Sequence, residues 1–238
     1  MYKPELAKYR RNVYSQIGED GVLAEILRRL EIGRDWFCEF GAWDGRHLSN
    51  TYSLAERGWS GVEIEADPER FRDLQETARR HDGRLHAINA FVAPEGDSTL
   101  DRLLSRTPIP RDFAVLSIDV DSSDYRIWQS LRDYSPRIVI IEVNSSFAPG
   151  VERVHTEAEP GSSFTSTLRL GREKGYSLVL HTGNMIFVRN DLVSRLGLPQ
   201  KELENAELLF DRFYLPTNAV HALIRRVARK LRGFLRGR

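Results

Sequence analysis

Residues 36–68 read WFCEFGAWDGRHLSNTYSLAERGWSGVEIEADP, and this stretch decides the fold. WFCEFGA (36–42) is a short apolar run that ends in a glycine and an acidic turn; SGVEIEA (60–66) is a second. Two short strands with a helix between them form the unit from which parallel sheets are built, because parallel neighbours need a crossover connection. Asp67-Pro68-Glu69 then supplies an N-cap, a proline at the first helical position and an acid in the first turn. It opens a helix with Phe71 and Leu74 facing inward.

The pattern extends in both directions. Upstream, DGVLAEILRRLE (20–31) places Leu23, Ile26, Leu27 and Leu30 on one helical face, with Gly33 as the expected stop. Downstream, LHAINAFV (85–92), FAVLSIDV (113–120) and RIVIIEV (137–143) read as strands three to five. The fifth is almost continuously apolar, which places it in the middle of a sheet covered on both faces. Ser122 or Ser123 is the expected cap of a helix bearing Ile127 and Leu131, and a further helix around 164–174 ends at Gly175. YSLVLH (176–181) and NMIFVRN (184–190) are joined only by Thr182-Gly183, so they must be antiparallel. The expected fold is α/β, a doubly wound, mostly parallel seven-stranded sheet finished by an antiparallel hairpin. Residues 1–35 read as an N-terminal helical cap, 36–190 as the core, and 191–238 as a C-terminal helical extension broken at Pro216.

The 238 residues, 41% hydrophobic and 29% charged, are those of an ordinary globular chain. No apolar run approaches the roughly 20 residues that span a bilayer. The basic N-terminus has no apolar stretch behind it and does not read as a signal peptide. The lone Cys38 excludes an intrachain disulfide and a cysteine zinc site, and inside a strand it reads as an inert core thiol. A cytoplasmic protein is expected, peripheral at the inner face of the membrane if its tail binds there. The net charge of +1, less the +7 carried by Arg225, Arg226, Arg229, Lys230, Arg232, Arg236 and Arg238, leaves −6 on residues 1–218. An acidic body argues against nucleic acid as the partner of the whole surface. In 219–238, Val220, Leu223, Ile224, Val227, Leu231, Phe234 and Leu235 share one helical face, opposite the arginines. Such a stripe fits a membrane surface, or packing on the body or on a second subunit of a homodimer.

In an open parallel sheet, ligands sit at the carboxyl ends of the strands. There the first strand offers Glu39, Gly41 and Gly45, and the second offers Glu65, about 20 residues on, where an acid can take ribose hydroxyls. The turn EFGAWDG lacks the G-x-G-x-x-G phosphate cradle and carries acids instead, so it suits a cationic ligand better than a pyrophosphate.

EFGAWDG with LSNTYSLAERGWSGVEIEADP resembles the cofactor-binding start of S-adenosylmethionine-dependent methyltransferases, and the upstream YSQIGEDGVL makes the chain most similar to the FkbM-like family. The resemblance covers residues 14–190 and implies a Rossmann-like methyltransferase fold with S-adenosylmethionine as cofactor. It implies that Glu39, Gly41 and Gly45 line the methionine end, that Glu65 takes the ribose hydroxyls, and that Asn89 lies where adenine is met. Ser49 and Asn50, opening the next helix, are candidate partners of the methionine carboxylate, and Gln16 closes over the cofactor from the N-terminal segment.

A second polar cluster follows strands four and five: Asp119, Asp121 and Asp124, then Glu142 and Asn144. In one reading Asp119 meets the cofactor's amino group and Glu142 or Asn144 orients the acceptor. In the other, Asp119, Glu142 and Asn144 hold Mg2+, which lowers the pKa of a substrate hydroxyl. The D-x-D-x-x-x-Y run is similar to metal-dependent caffeoyl-CoA-type O-methyltransferases, although there the acid and amide are adjacent and here Val143 separates them. Asp121 and Asp124 also suit helix caps. A hydroxyl acceptor needs a base, for which His155 in the connection 145–163 and His181 ending strand six are candidates. The expected activity is O-methylation of a sugar, polysaccharide or natural-product hydroxyl. The rivals are N-methylation, a nucleotide-dependent oxidoreductase, and an inactive cofactor-binding adaptor acting through its basic tail.

Overall fold

A computed structural model describes residues 2–120, 123–156 and 160–215. Helices α1 (Glu19–Leu30), α2 (Tyr52–Glu56), α3 (Pro68–Arg79), α4 (Leu100–Leu104), α5 (Asp124–Ser130) and α6 (Phe164–Glu173) alternate with strands β1 (Trp36–Phe40), β2 (Ser60–Glu65), β3 (Leu85–Asn89), β4 (Val115–Ile118) and β5 (Ile138–Glu142). Strands β6 (Tyr176–His181) and β7 (Asn184–Arg189) follow, then the short helices α7 (Asn190–Val193) and α8 (Gln200–Glu204). All seven strands form one sheet in the order β3-β2-β1-β4-β5-β7-β6. β1 to β5 pair in parallel and β7 runs antiparallel to both β5 and β6. This is the expected doubly wound architecture, and its order reverses between β1 and β4.

Two apolar layers cover the sheet. On one face Cys38, Phe40, Val62, Ile64, Leu116, Ile118, Val139 and Ile141 pack with Leu104 of α4, Trp128 of α5 and Phe164 of α6. On the other, Phe37, Val115, Ile138 and Ile140 pack with Leu23, Ile26 and Leu30 of α1 and Leu54 of α2. The continuous apolar run of β5 is explained, since Ile138, Val139, Ile140 and Ile141 serve alternate faces and are all fully buried. Each such side chain contributes about 1.5–3 kcal/mol of transfer free energy. Burial also pushes the Cys38 thiol pKa up, leaving an inert core residue.

Local signals behave as their chemistry requires, with three corrections. Asp67 caps α3 by accepting from the amides of Glu69 and Arg70, with Pro68 at the first position. α1, however, stops before Gly33: Glu31 adopts a left-handed φ of 56°, and its amide and that of Ile32 bond back to Arg28 and Leu27. β3 ends at Asn89, short of Val92, because the Asn89 amide turns back to the carbonyls of Glu65 and Ala66. Ser123 precedes α5 without a side-chain cap, and Asp124 braces the turn instead by accepting from the Val120 amide at 2.8 Å. The chain after β7 is helical in short pieces: α7, α8 and the 3-10 turns Ser194–Leu196, Ala206–Leu209 and Arg212–Tyr214. Ser122, Asp121, Pro216 and the basic segment 219–238 lie outside the described residues. Among the described residues no helix is long and apolar enough to cross a membrane.

Candidate active site

The strand registers bring five of the sequence-predicted residues, Asn89, Glu65, Gly41, Asp119 and Glu142, into one row. Glu65 pairs with Asn89, and Phe40 pairs with Ile64 and with Ile118, so Gly41 stands beside Glu65 and Asp119. Ile118 pairs with Ile141, and Glu142 with Asn184, which carries the row on. Asn89, Glu65, Gly41, Asp119, Glu142 and Asn184 therefore cross the carboxyl edge in sheet order, with the reversal of strand order between Gly41 and Asp119. Open α/β sheets bind ligands at that reversal.

The turn after β1 is wound tightly. Gly41 (φ 75°), Trp43 (φ 54°), Gly45 (φ 76°) and Leu48 (φ 60°) are all left-handed, two of them non-glycine residues that hold this conformation at a cost. Gly41 has no alternative, because a β-carbon there would lie 2.0 Å from the Asp119 carbonyl oxygen. The Trp43 ring is covered by the Arg70 guanidinium at 4.2 Å and met edge-on by His47. The Glu65 carboxylate fastens this turn to the next, accepting from Trp43 N at 2.8 Å and Asp67 N at 2.7 Å. One acceptor position remains on each oxygen, which is what a pair of ribose hydroxyls requires.

Glu39 lies one layer deeper. Its Oε2 accepts from the hydroxyls of Ser49 (2.5 Å) and Thr51 (2.7 Å), and its Oε1 from the Asn50 amide (2.9 Å). Ser49 in turn accepts from the amides of Thr51 and Tyr52, while the Asn50 side chain donates to Ser117. These side chains are buried and bound within the protein, so Ser49 and Asn50 hold the turn in place. Their position as support was not evident in the sequence, where a helix opening and a ligand contact look alike.

Glu63, paired with Glu39 across β1 and β2, is fully buried and neither carboxyl oxygen has a hydrogen-bond partner. Desolvation, reinforced by Glu39 and Asp44, raises its pKa well above the carboxylate range. It packs against the same turn, with Oε2 2.9 Å from where a β-carbon on Gly45 would be. Period-two alternation, which puts Glu63 on the face of Glu65, was the signal that could have found it.

On the acceptor side, Asn144 accepts at Oδ1 from the amide and hydroxyl of Ser146 and donates through Nδ2 to the Pro160 carbonyl. The oxygen that would ligate a metal is thus already engaged in closing the loop. Among the described residues no group of three or more histidine, cysteine, aspartate or glutamate side chains could hold a metal ion. The Mg2+ reading is set aside on the commitment of Asn144. Asp119 and Glu142 remain, half buried, at the ends of β4 and β5.

Neither histidine is poised as a base. His155 Nδ1 accepts from the Gly161 amide at 3.0 Å, so the neutral ring carries its proton on Nε2 and can only donate there. His181 is fully buried and stacked on Phe210 at 4.9 Å. Its Nδ1 accepts from the Asp211 amide at 2.9 Å, so Nε2–H donates to Ser145 Oγ at 2.8 Å. Burial pushes its pKa down to about 3. It pins β6, the connection after β5 and the C-terminal segment together.

Residues 12–18 arch over the edge. Tyr14 packs edge-on against Tyr52 and donates to Glu56, while Ile17 abuts Gly183 in the β6–β7 turn. The Asp20 Oδ2 holds this strap by accepting from three consecutive amides, Val13, Tyr14 and Ser15. Glu19 ties it to the hairpin through Thr182 Oγ1 at 2.7 Å. Gln16 is exposed on the strap.

No family profile matches the chain, and no curated protein matches it. Solved structures resemble it distantly. They include an S-adenosylmethionine-dependent methyltransferase from Clostridium acetobutylicum (7% identity, 70% of this chain and 89% of that one, TM-score 0.43). Another S-adenosylmethionine-dependent methyltransferase, from Aquifex aeolicus, has 9% identity over 69% of this chain and 85% of that one, with a TM-score of 0.42. The [4+2]-cyclase SpnF has 16% identity over 71% of this chain and 63% of that one, with a TM-score of 0.45. At these values the likeness concerns the fold and assigns no activity.

Proposed function

We propose that this protein is an S-adenosylmethionine-dependent methyltransferase of the FkbM-like type acting on a hydroxyl of a sugar or related acceptor. The observation that carries the reading is the row Asn89, Glu65, Gly41, Asp119 and Glu142 at the point where strand order reverses. Gly41 lets the ends of β1 and β4 close together at that point, Glu65 has acceptor positions for two ribose hydroxyls, and Asn89 stands beside it for the base. Asp119 faces the amino group of the methionine moiety, and Gln16 on the strap covers it. The cofactor, when bound, supplies an electrophilic methyl group.

The residues of the chain then have to orient the acceptor and take its proton. With both histidines committed as acceptors at Nδ1, the Glu142 carboxylate, one strand from Asp119, is the base we assign. His155 Nε2–H orients an acceptor oxygen by donating to it.

Calorimetric titration with S-adenosylmethionine, S-adenosylhomocysteine and NAD tests the reading. Binding of the sulfonium cofactor and its product, with Glu65→Ala weakening both at least tenfold and leaving the circular dichroism unchanged, is expected. In an acceptor screen begun with glycans, Glu142→Gln lowers kcat and leaves cofactor affinity unaltered. Binding of NAD alone would establish the oxidoreductase rival.

A further inference from the structure

We infer that Glu63 distinguishes the sulfonium cofactor from its neutral thioether product: held as a neutral acid against the turn after β1, it gives its proton to solvent when a positive charge is bound at that turn and takes it back when that charge is gone. This rests on the methyl-transfer reading, to which it adds the residue that tells S-adenosylmethionine from S-adenosylhomocysteine.

Glu63 lies on the same face of β2 as Glu65, one pleat back from the carboxyl edge, and opposite Glu39 in the ladder. Glu65 fastens the turn at the Trp43 amide, and Glu63 meets it at Gly45, where a β-carbon would stand 2.9 Å from its Oε2. The Glu63 carboxyl is fully buried, and neither oxygen has a hydrogen-bond partner. Glu39 has three donors, the hydroxyls of Ser49 and Thr51 and the Asn50 amide. Of two facing acids, the one without donors is the one that keeps a proton.

The groups packed around Glu63 offer it no counter-charge among the described residues. β1 contributes Glu39 and the buried Cys38 thiol, and the turn contributes Asp44. α2 contributes Tyr52, with the exposed Arg46 over its ring, and α3 contributes the neutral Leu74 and Thr77 beside Gly45. The charges that act on Glu63, those of Glu39 and Asp44, are both negative, and with burial they favour its neutral form. A buried carboxyl left unsatisfied in this way destabilises the fold, and a ligand that brings positive charge is the one it suits. A sulfonium at this turn is separated from Glu63 by little more than backbone, in a water-poor interior where charges act strongly.

The sign of the effect follows. A bound cation lowers the pKa of a nearby acid, so between the bound and free values the complex holds less proton than the free protein. Affinity for the sulfonium then rises with pH in that window and is flat outside it. The neutral thioether leaves Glu63 unshifted. Its amino and carboxylate groups are those of the sulfonium compound, so their own titration cancels in the ratio of the two affinities.

Calorimetry at pH 7 in phosphate and in Tris, whose ionisation enthalpies differ, counts the protons released on binding. Expected is a larger release with S-adenosylmethionine than with S-adenosylhomocysteine, and a ratio of affinities that moves several-fold towards S-adenosylmethionine between pH 6 and pH 8. Glu63→Gln, which keeps the shape and lacks the proton, should abolish both differences. Infrared difference spectra of the unaltered protein supply a check independent of the variant: the carbonyl band of a protonated carboxyl should vanish on adding S-adenosylmethionine and persist with S-adenosylhomocysteine. Equal proton release by the two ligands, a difference that survives in Glu63→Gln, or a carboxyl band that persists with both overturns the role of Glu63 and leaves the methyl-transfer reading in place. Failure of both ligands to bind defeats the methyl-transfer reading and the role of Glu63 with it.

Discussion

A β-carbon on Gly41 would stand 2.0 Å from the carbonyl oxygen of Asp119, so β1 and β4 approach at their carboxyl ends more closely than any side chain allows. Gly41 is also left-handed at φ 75°. Gly41→Ala therefore forces the two strand ends apart and adds backbone strain of about 1–3 kcal/mol. We expect a lower Tm and cofactor affinity reduced beyond detection, measured by thermal unfolding and calorimetry on the same sample. Unchanged affinity would show that the gap between these strands is not where the cofactor lies.

The row that Gly41 and Asp119 centre was largely legible in the sequence, because every member but Asn184, which opens β7, lies at or just past the end of a strand, and strand ends are set by local pattern. What was not legible depends on contacts between distant segments. His181 looks like a base until the Asp211 amide, 30 residues away, is found on its Nδ1. Ser49 looks like a ligand until Glu39 takes its hydroxyl. Helix α4 carries five residues, too few for a periodic signal, and the basic segment 219–238 lies outside the described residues.

Glu63 gives a stability profile of definite sign. Burial raises its folded pKa, while the unfolded chain releases the proton near pH 4.5. The folded state therefore binds the extra proton, and stability falls as pH rises from about 4.5 towards the folded value, by up to ~1.4 kcal/mol per unit. Glu63→Gln removes the titration and keeps the shape. In urea unfolding it should match the wild type at pH 4 and exceed it at pH 7, by a margin that widens as pH rises between the two. Equal stability at both values would mean that Glu63 has a partner in solution.

Asp20 governs the strap. Desolvation favours its neutral form, but the hydrogen bonds from Ser15, Val13 and Tyr14 outweigh it and hold the carboxyl below its usual range. Asp20→Ala leaves three amides without their acceptor, each costing about 1–3 kcal/mol if it stays buried, so residues 12–18 should detach instead. Hydrogen exchange should find the amides of Val13, Tyr14 and Ser15 protected in the wild type and unprotected in the variant. Cofactor affinity should drop about tenfold as Gln16 is released. Rapid exchange of these amides in the wild type would show that the strap is not closed.

His181 carries the opposite pH dependence to Glu63. Its folded pKa is about 3, whereas an unfolded histidine takes up a proton near 6.5. Stabilisation by the neutral ring is therefore complete above about pH 6.5 and is lost progressively as pH falls towards 3. His181→Asn should cost about 2 kcal/mol at pH 7 through the lost stacking on Phe210 and the weakened bonds to Ser145 and Asp211. That deficit should shrink on acidification, because the variant has no proton to exclude. In nitrogen NMR the ring should remain neutral at pH 5 with its proton on Nε2, since Nδ1 is held by the Asp211 amide. A ring that titrates near pH 6.5 would remove the pin and restore His181 as a candidate base, and the assignment of proton transfer to Glu142 would fall with it.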